Sequence, residues 1–277
     1  MSEGSRAQAI GIFDSGMGGL TVMRALKARL PHEHFVYLGD TARLPYGTKS
    51  GETVSRYAVQ AASLLVKRRV KFIVVACNTA SAVALPALQA ALAPVPIVGV
   101  VEPGAQAALK AAPDGPIAVI ATESTVRGGA YERALRAINP EVEVIQTACG
   151  LFVPLAEEGL VEGQIADLVA ARYLSMLSDN TPIAPRALVL GCTHFPVLKD
   201  VIARTVGPDI LLVDSADAVA DAVAQLLSAA KLASEDPSTK ADEFLATDAP
   251  ERFARVGEIF LGRKIAPEAV TLVDLQG

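Results

Sequence analysis

Two cysteines in this chain end apolar runs in the same way. In "VVACNTASA" (74–82) Cys77 precedes Asn78 and Thr79, and in "LVLGCTHFP" (188–196) Cys192 precedes Thr193 and His194. A thiol at the carboxyl end of a strand stands beside a helix N-terminus, where unpaired N–H groups and the helix dipole favour anions. A free thiol pKa of about 8.5 can fall by units in such a place. Cys77 and Cys192 could therefore serve as thiolate bases or nucleophiles. Asn78, Thr79 and Thr193 are short donors and acceptors suited to holding a carboxylate or an amine. One buried cysteine is ordinary core filler; two in matched settings point to a shared task.

The remaining polar groups carry weaker signals. His194 could act as an acid or tune Cys192, or be a satisfied core histidine. Cys149, in "TACGLF", has no such partner context; the stretch fits a loop, and the thiol reads as passive or supporting. His32 and His34, in "PHEHF", read as a solvated turn. Cysteines and histidines are scattered without a CxxC pair, so no metal site is expected. "DSGMGG" (14–19) invites a dinucleotide reading, with Asp40 standing for the ribose acid. It misses the third glycine of that fingerprint, and Asp14 ahead of the glycines would repel a pyrophosphate. Asp14 could equally be an N-cap or turn residue. "RLPYG" (43–47) is a turn from which Arg43 could reach a carboxylate and Tyr46 could cover a small ligand; a plain surface turn fits as well. Glu157 and Glu158 read by default as a solvated acidic pair.

The elements that must position these groups alternate. Strands are predicted at 9–13, 35–39, 72–76, 96–101, 117–121, 142–146, 187–191 and 210–214. Helices fall near 18–30, 50–69, 79–92, 103–112, 124–138, 163–178, 197–206 and 215–231. The tail adds a helix near 250–261 and a strand in "AVTLV", while 232–248 reads as the most loop-like stretch. This βαβα pattern implies α/β layers with parallel sheets. The strands are many for one sheet, so two similar α/β domains are expected. The first takes 1–100 plus 211–277, the second 101–210, and the site lies in the cleft between them. Asp14-Ser15, Gly39-Asp40, Cys77-Asn78-Thr79 and Cys192-Thr193-His194 all fall at carboxyl ends of strands, where open α/β sheets bind ligands.

Bulk properties narrow the function classes. The 277 residues are half apolar, with 25 Lys plus Arg against 30 Asp plus Glu and a net charge of −5. That disfavours a non-specific polyanion binder, so no nucleic-acid partner is expected. Three cysteines, an odd count, and a polar start without an apolar core segment argue against a disulfide framework and a secretory signal; a cytoplasmic protein is expected. No charge lies between Lys71 and Glu102. Asn78, Thr79, Ser81 and Gln89 and three prolines interrupt that stretch, so strand–helix–strand is a better reading than a membrane span.

"GIFDSGMGGLTV", "YLGDTARLPYG", "ACNTASA", "FVPLAEEG" and "LGCTHFP" occur in this order, and together they resemble the glutamate racemases, of the cofactor-independent amino-acid racemases. The resemblance spans about residues 9–215 and implies a two-base proton transfer without cofactor. By motif position Cys77 acts on D-glutamate and Cys192 on L-glutamate. Asp14 resembles the partner of the substrate ammonium and an assistant to Cys77. Ser15, Pro45, Tyr46, Gly47, Asn78, Thr79 and Thr193 resemble substrate grips, and Thr122 and Thr125 in "ATEST" the grip on the side-chain carboxylate. Glu157 and His194 resemble polar helpers near Cys192, with His194 also touching substrate and Glu158 as the rival for Glu157. The implied role is supply of D-glutamate for peptidoglycan, and the implied assembly a homodimer. Two departures stand out: Cys149-Gly150 where the family often has Cys-Pro, and Phe195 where a tyrosine is usual. Without a long N-terminal extension, activation by a cell-wall precursor is not expected. The rivals are an aspartate or hydantoin racemase, a Cys–His hydrolase using Cys192 and His194, and an amino-acid binding domain.

Overall fold

The computed structural model of the protein describes residues 6–179, 184–234 and 241–275. The first part of the chain forms β1 (Ile10–Asp14), α1 (Leu20–Arg29), β2 (Phe35–Gly39), α2 (Gly51–Lys67), β3 (Phe72–Val75), α3 (Asn78–Ala91) and β4 (Ile97–Gly99). There follow α4 (Val101–Ala111), β5 (Ile117–Ala121), α5 (Glu123–Gly128), α6 (Ala130–Ile138), β6 (Val144–Ala148), α7 (Phe152–Glu157), α8 (Gln164–Asp179) and β7 (Ala187–Gly191). The last part forms α9 (Lys199–Val206), β8 (Leu211–Asp214), α10 (Ser215–Ala229), β9 (Glu243–Ala246), α11 (Pro250–Leu261) and β10 (Val270–Leu272). Two sheets result, one ordered β10-β9-β2-β1-β3-β4 and one β6-β5-β7-β8. Every strand pair in both is parallel.

Parallel strands with helices on both faces have no solvated side, which is why these strands read as unbroken apolar runs. IGIFD, FVYLG, IAVIA and ALVLG are buried at every position. α2 and α3 cover one face of the first sheet through Val54, Ala58 and Leu65 and through Ala80, Ala84 and Leu88. α4 and α6 cover one face of the second through Ala105, Ala108, Tyr131 and Leu135. A third core joins the remaining faces of both sheets. In it Ile10, Ile12 and Tyr37 meet Leu188 and Leu190 through Met23, Val219, Val223, Phe253 and Phe260 of α1, α10 and α11.

The structure departs from the sequence pattern in places. β8 pairs with β7, so the expected return near 211 falls inside the edge strand of the second sheet. The turn into the next unit is marked by Asp214, whose carboxylate accepts the Ala216 N–H at 2.8 Å and caps α10. The helix expected over 124–138 is two, divided at Gly129 with φ +60°, a conformation glycine adopts freely. Part of the loop-like stretch, 243–246, is strand β9 inserted between β2 and β10; residues 235–240 lie outside the described part. The charge-free stretch folds as β3, α3 and β4, and among the described residues no helix is long and apolar enough to cross a membrane.

At the amino ends of β2 and β3, Lys71 Nζ meets Glu33 Oε2 at 2.6 Å with both side chains almost wholly buried. Glu33 Oε1 accepts the Ser234 N–H, and Lys71 also donates to the Arg6 carbonyl. Removing one member strands a buried charge, so Lys71→Met is expected to cost about 3 kcal/mol. A urea denaturation midpoint unchanged from wild type would contradict this.

Candidate active site

The carboxyl ends of β1 and β3 face those of β5 and β7 across a cavity of about 170 Å³. Ser15, Pro45, Tyr46, Gly47, Thr48, Cys77, Asn78 and Thr79 line one side; Thr122, Glu123, Gly150, Val153, Pro154, Cys192, Thr193 and His194 line the other. Larger grooves beside Asp40 and between α3 and α6 hold neither thiol. The cavity suits a small molecule, being below the usual range of about 300–1,000 Å³ for drug-sized ligands. Thr48, Glu123, Val153 and Pro154 carry no chemical signature in the sequence; only their neighbours in the "RLPYG", "ATEST" and "FVPLAEEG" motifs pointed towards them.

Cys77 is the N-cap of α3. Its Sγ accepts the Ala80 N–H at 3.4 Å and donates to Ser15 Oγ at 3.5 Å. A lowered thiol pKa, expected from the helix terminus, is not what the surroundings produce. Burial, reinforced by the charge of Asp14, pushes the Cys77 thiol up to about 12, against the pull of the Ser15 and Ala80 bonds. Asp14 itself is wholly buried. Its Oδ2 accepts the Gly16 N–H at 2.9 Å, while Oδ1 has no partner among the described residues. Burial raises the Asp14 carboxyl above its ordinary value although His194 opposes this.

Cys192 has a different neighbourhood. His194 Nδ1 lies 3.7 Å from its Sγ, and His194 Nε2 lies 3.2 Å from Glu157 Oε1. Glu157 Oε2 accepts from Arg252 at 2.9 Å. Burial alone would lower the His194 pKa, but the bonds to Cys192 and Glu157 and the nearby negative charges lift it to about 10. Burial likewise penalises the Glu157 carboxylate, yet the bonds from His194 and Arg252 prevail and hold it below the usual range. Glu157 is thus no solvated residue; Glu158, its rival, faces solvent. Arg252 had no signal in the sequence, because an arginine in the first turn of an amphipathic helix looks like surface.

Hydroxyls and an amide complete the cleft. Thr79, Thr122 and Thr125 form a mutual trio at 3.0, 3.2 and 3.0 Å. Tyr131 donates to Asn78 Oδ1 at 2.6 Å, leaving the buried Asn78 Nδ2 without a partner among the described residues. Asp14, Thr125 and Glu157 lie one layer behind the cavity wall, while every other expected site residue is on it.

Tyr46 is buried, and its hydroxyl donates to Asp40. Asp40 also accepts from Arg43 at 2.7 Å and from Thr247 at 3.0 Å. Arg43 is therefore turned onto Asp40 and the Tyr57 ring, away from the cavity, and Asp40, wholly buried and already bonded to three donors, is not presented to a ribose. The buried ring of Phe195 packs edge-on against Phe152, with centroids 5.3 Å apart. Cys149 is buried off the wall, donates to the Thr147 carbonyl, and is raised to about 12 by burial. Among the described residues no group of three or more His, Cys, Asp or Glu is gathered as for a metal ion.

A family model described as Asp/Glu/Hydantoin racemase matches residues 11–223. A glutamate racemase from Geobacter metallireducens is 51% identical, covering 93% of this chain and 94% of that one. The chain belongs to the glutamate racemase family. Among solved glutamate racemases, the one from Francisella tularensis, crystallised with D-glutamate, has a TM-score of 0.89 at 38% identity and covers 98% of this chain and 99% of its own. Isoform RacE1 from Bacillus anthracis has a TM-score of 0.91 at 34% identity, covering 98% of each chain.

The two wall thiols should react unequally. Native alkylation with iodoacetamide at pH 8, read by peptide mass spectrometry, is expected to modify Cys192 first, Cys77 slowly and Cys149 least. Modification of Cys77 or Cys149 ahead of Cys192 would contradict the described environments.

Proposed function

We propose that the protein interconverts L- and D-glutamate by proton transfer between two thiols, without a cofactor. The observation that carries this reading is the placement of Cys77 and Cys192 on opposite sides of one small cavity, each at a strand end of a different sheet. Inversion at carbon needs a base on one face and an acid on the other. A thiol raised to about 12 is a proton donor at neutral pH, which suits Cys77. A protonated histidine offers Cys192 a charged partner, which suits the base.

From L-glutamate, the Cys192 thiolate takes the α-proton and becomes a thiol. The electron pair left on Cα is delocalised into the α-carboxylate. The Cys77 thiol then delivers its proton to the opposite face and becomes a thiolate. From D-glutamate the roles exchange. The Thr79–Thr122–Thr125 hydroxyls suit the side-chain carboxylate, and the free Asn78 amide N–H suits the α-carboxylate. Ser15, Thr193, Pro45, Tyr46 and Gly47 shape the rest of the wall. Asp14 lies behind Cys77 with a free oxygen, which supports an assisting role toward that thiol. The cavity between two sheets excludes water from the reacting carbon.

The Cys192–His194–Glu157 relay also has the order of a nucleophilic thiol site. Acyl transfer would leave Cys77 without a task, so racemisation uses more of the site. The same reading extends to production of D-glutamate for peptidoglycan, a cytoplasmic location and a homodimer.

Single-thiol variants test the assignment. Cys77→Ala and Cys192→Ala should each lose inversion by at least about a thousandfold. In D2O, residual α-hydrogen exchange should be confined to L-glutamate in Cys77→Ala and to D-glutamate in Cys192→Ala, as NMR can read. Substantial inversion by either variant would sink the two-thiol reading.

A further inference from the structure

α11 packs on α1 and leads towards β10, so it belongs with the first sheet. One face of it lies against the proton relay of the second. Arg252, Val256 and Phe260 recur four residues apart and share that face. Phe260 sets its ring edge-on to His194 with centroids 5.0 Å apart, and Arg252 reaches Glu157 at 2.9 Å. Glu157 spends one oxygen on each neighbour, Oε1 on His194 and Oε2 on Arg252. We propose that Arg252 is a positioning residue that couples docking of α11, and with it closure of the two halves, to the orientation of His194 beside Cys192. This rests on the racemase reading above.

A carboxylate held at one oxygen can turn about its terminal torsion, and the imidazole bonded to it turns too. Anchoring both oxygens fixes the carboxylate plane, the Nε2 bond and so the direction of Nδ1 toward Cys192. The Arg252 side chain is 38% exposed while that of Glu157 is 11% exposed. The pair therefore bridges solvent and site at the seam between the halves. The charged groups facing Glu157 are His194 after β7, Arg252 on α11 and Asp14 at the end of β1, with Cys192 behind His194. Arg252 favours the ionised Glu157. Its removal raises the Glu157 pKa and moves the acid limb of activity to higher pH.

The test compares wild type, Arg252→Gln and Arg252→Lys, with Arg255→Gln, exposed on the same helix, as a control. In Arg252→Gln, kcat should fall about ten- to a hundredfold while KM stays nearly constant, and the acid limb should rise by about one pH unit. Arg252→Lys should restore most of the loss, Arg255→Gln should match wild type, and Arg252→Gln added to Glu157→Gln should cost little more. Iodoacetamide labelling of Cys192, which needs no turnover, should slow in Arg252→Gln. An unchanged pH profile, unchanged labelling, or full additivity with Glu157→Gln would overturn the proposal. A wild type that does not racemise glutamate would reject the underlying reading instead, and the labelling rate would still decide the role of Arg252.

Discussion

The contact between Gly18 and the Cys192 loop sets how the two halves of the chain meet. A β-carbon on Gly18 would lie 2.5 Å from both Thr193 Oγ1 and His194 Nδ1. A β-carbon on Gly47 would lie 2.7 Å from that of Thr122. Thr21 crosses the same seam to the Thr193 carbonyl at 3.2 Å. With no side chains at these two glycines, the carboxyl edges of two parallel sheets come close enough to enclose a small cavity. Burial of Cys77, Asp14 and His194, and hence their shifted proton affinities, follows from that approach.

Enclosure acts differently on the two thiols because their polar company differs. Cys77 has a hydroxyl, one backbone N–H and a neighbouring carboxyl, so desolvation prevails and the proton stays. Cys192 has a histidine backed by a carboxylate and an arginine, so the charged imidazole survives burial. A site for inversion needs one group ready to give a proton and one ready to take it. Here both reacting groups are cysteines, and what differs is their company: Ser15 beside Cys77, His194 beside Cys192. Two buried atoms without partners among the described residues, Asp14 Oδ1 and Asn78 Nδ2, sit on the Cys77 side, where a zwitterionic substrate can supply both donors and acceptors.

Much of this was legible from residue patterns. Parallel strands buried on both faces announce themselves as apolar runs, and polar residues ending those runs mark the carboxyl edge. The strand-end cysteines, Asn78, Thr79, Thr193 and His194 were found this way. Thr122, Thr125 and Glu157 came from family motifs, because a threonine or glutamate near a helix is unremarkable in isolation. What escaped depends on long-range packing. Arg252 reaches Glu157 from 95 positions away, β9 owes its existence to pairing with β2, and the high proton affinity of Cys77 comes from a burial that its helix-cap position argues against. Arg43 misled because its charge is consumed by Asp40, three residues before it.

The central claim is that two thiols hold opposite faces of one carbon. It is tested most directly by early-time incubation of L-glutamate with the enzyme in D2O, following the α-position of both enantiomers by NMR and mass. The D-glutamate first formed is expected to carry deuterium at Cα in nearly every molecule, while recovered L-glutamate keeps its hydrogen. Substrate hydrogen retained in the first D-glutamate would mean that one group carries the proton between faces, and would contradict the opposed pair.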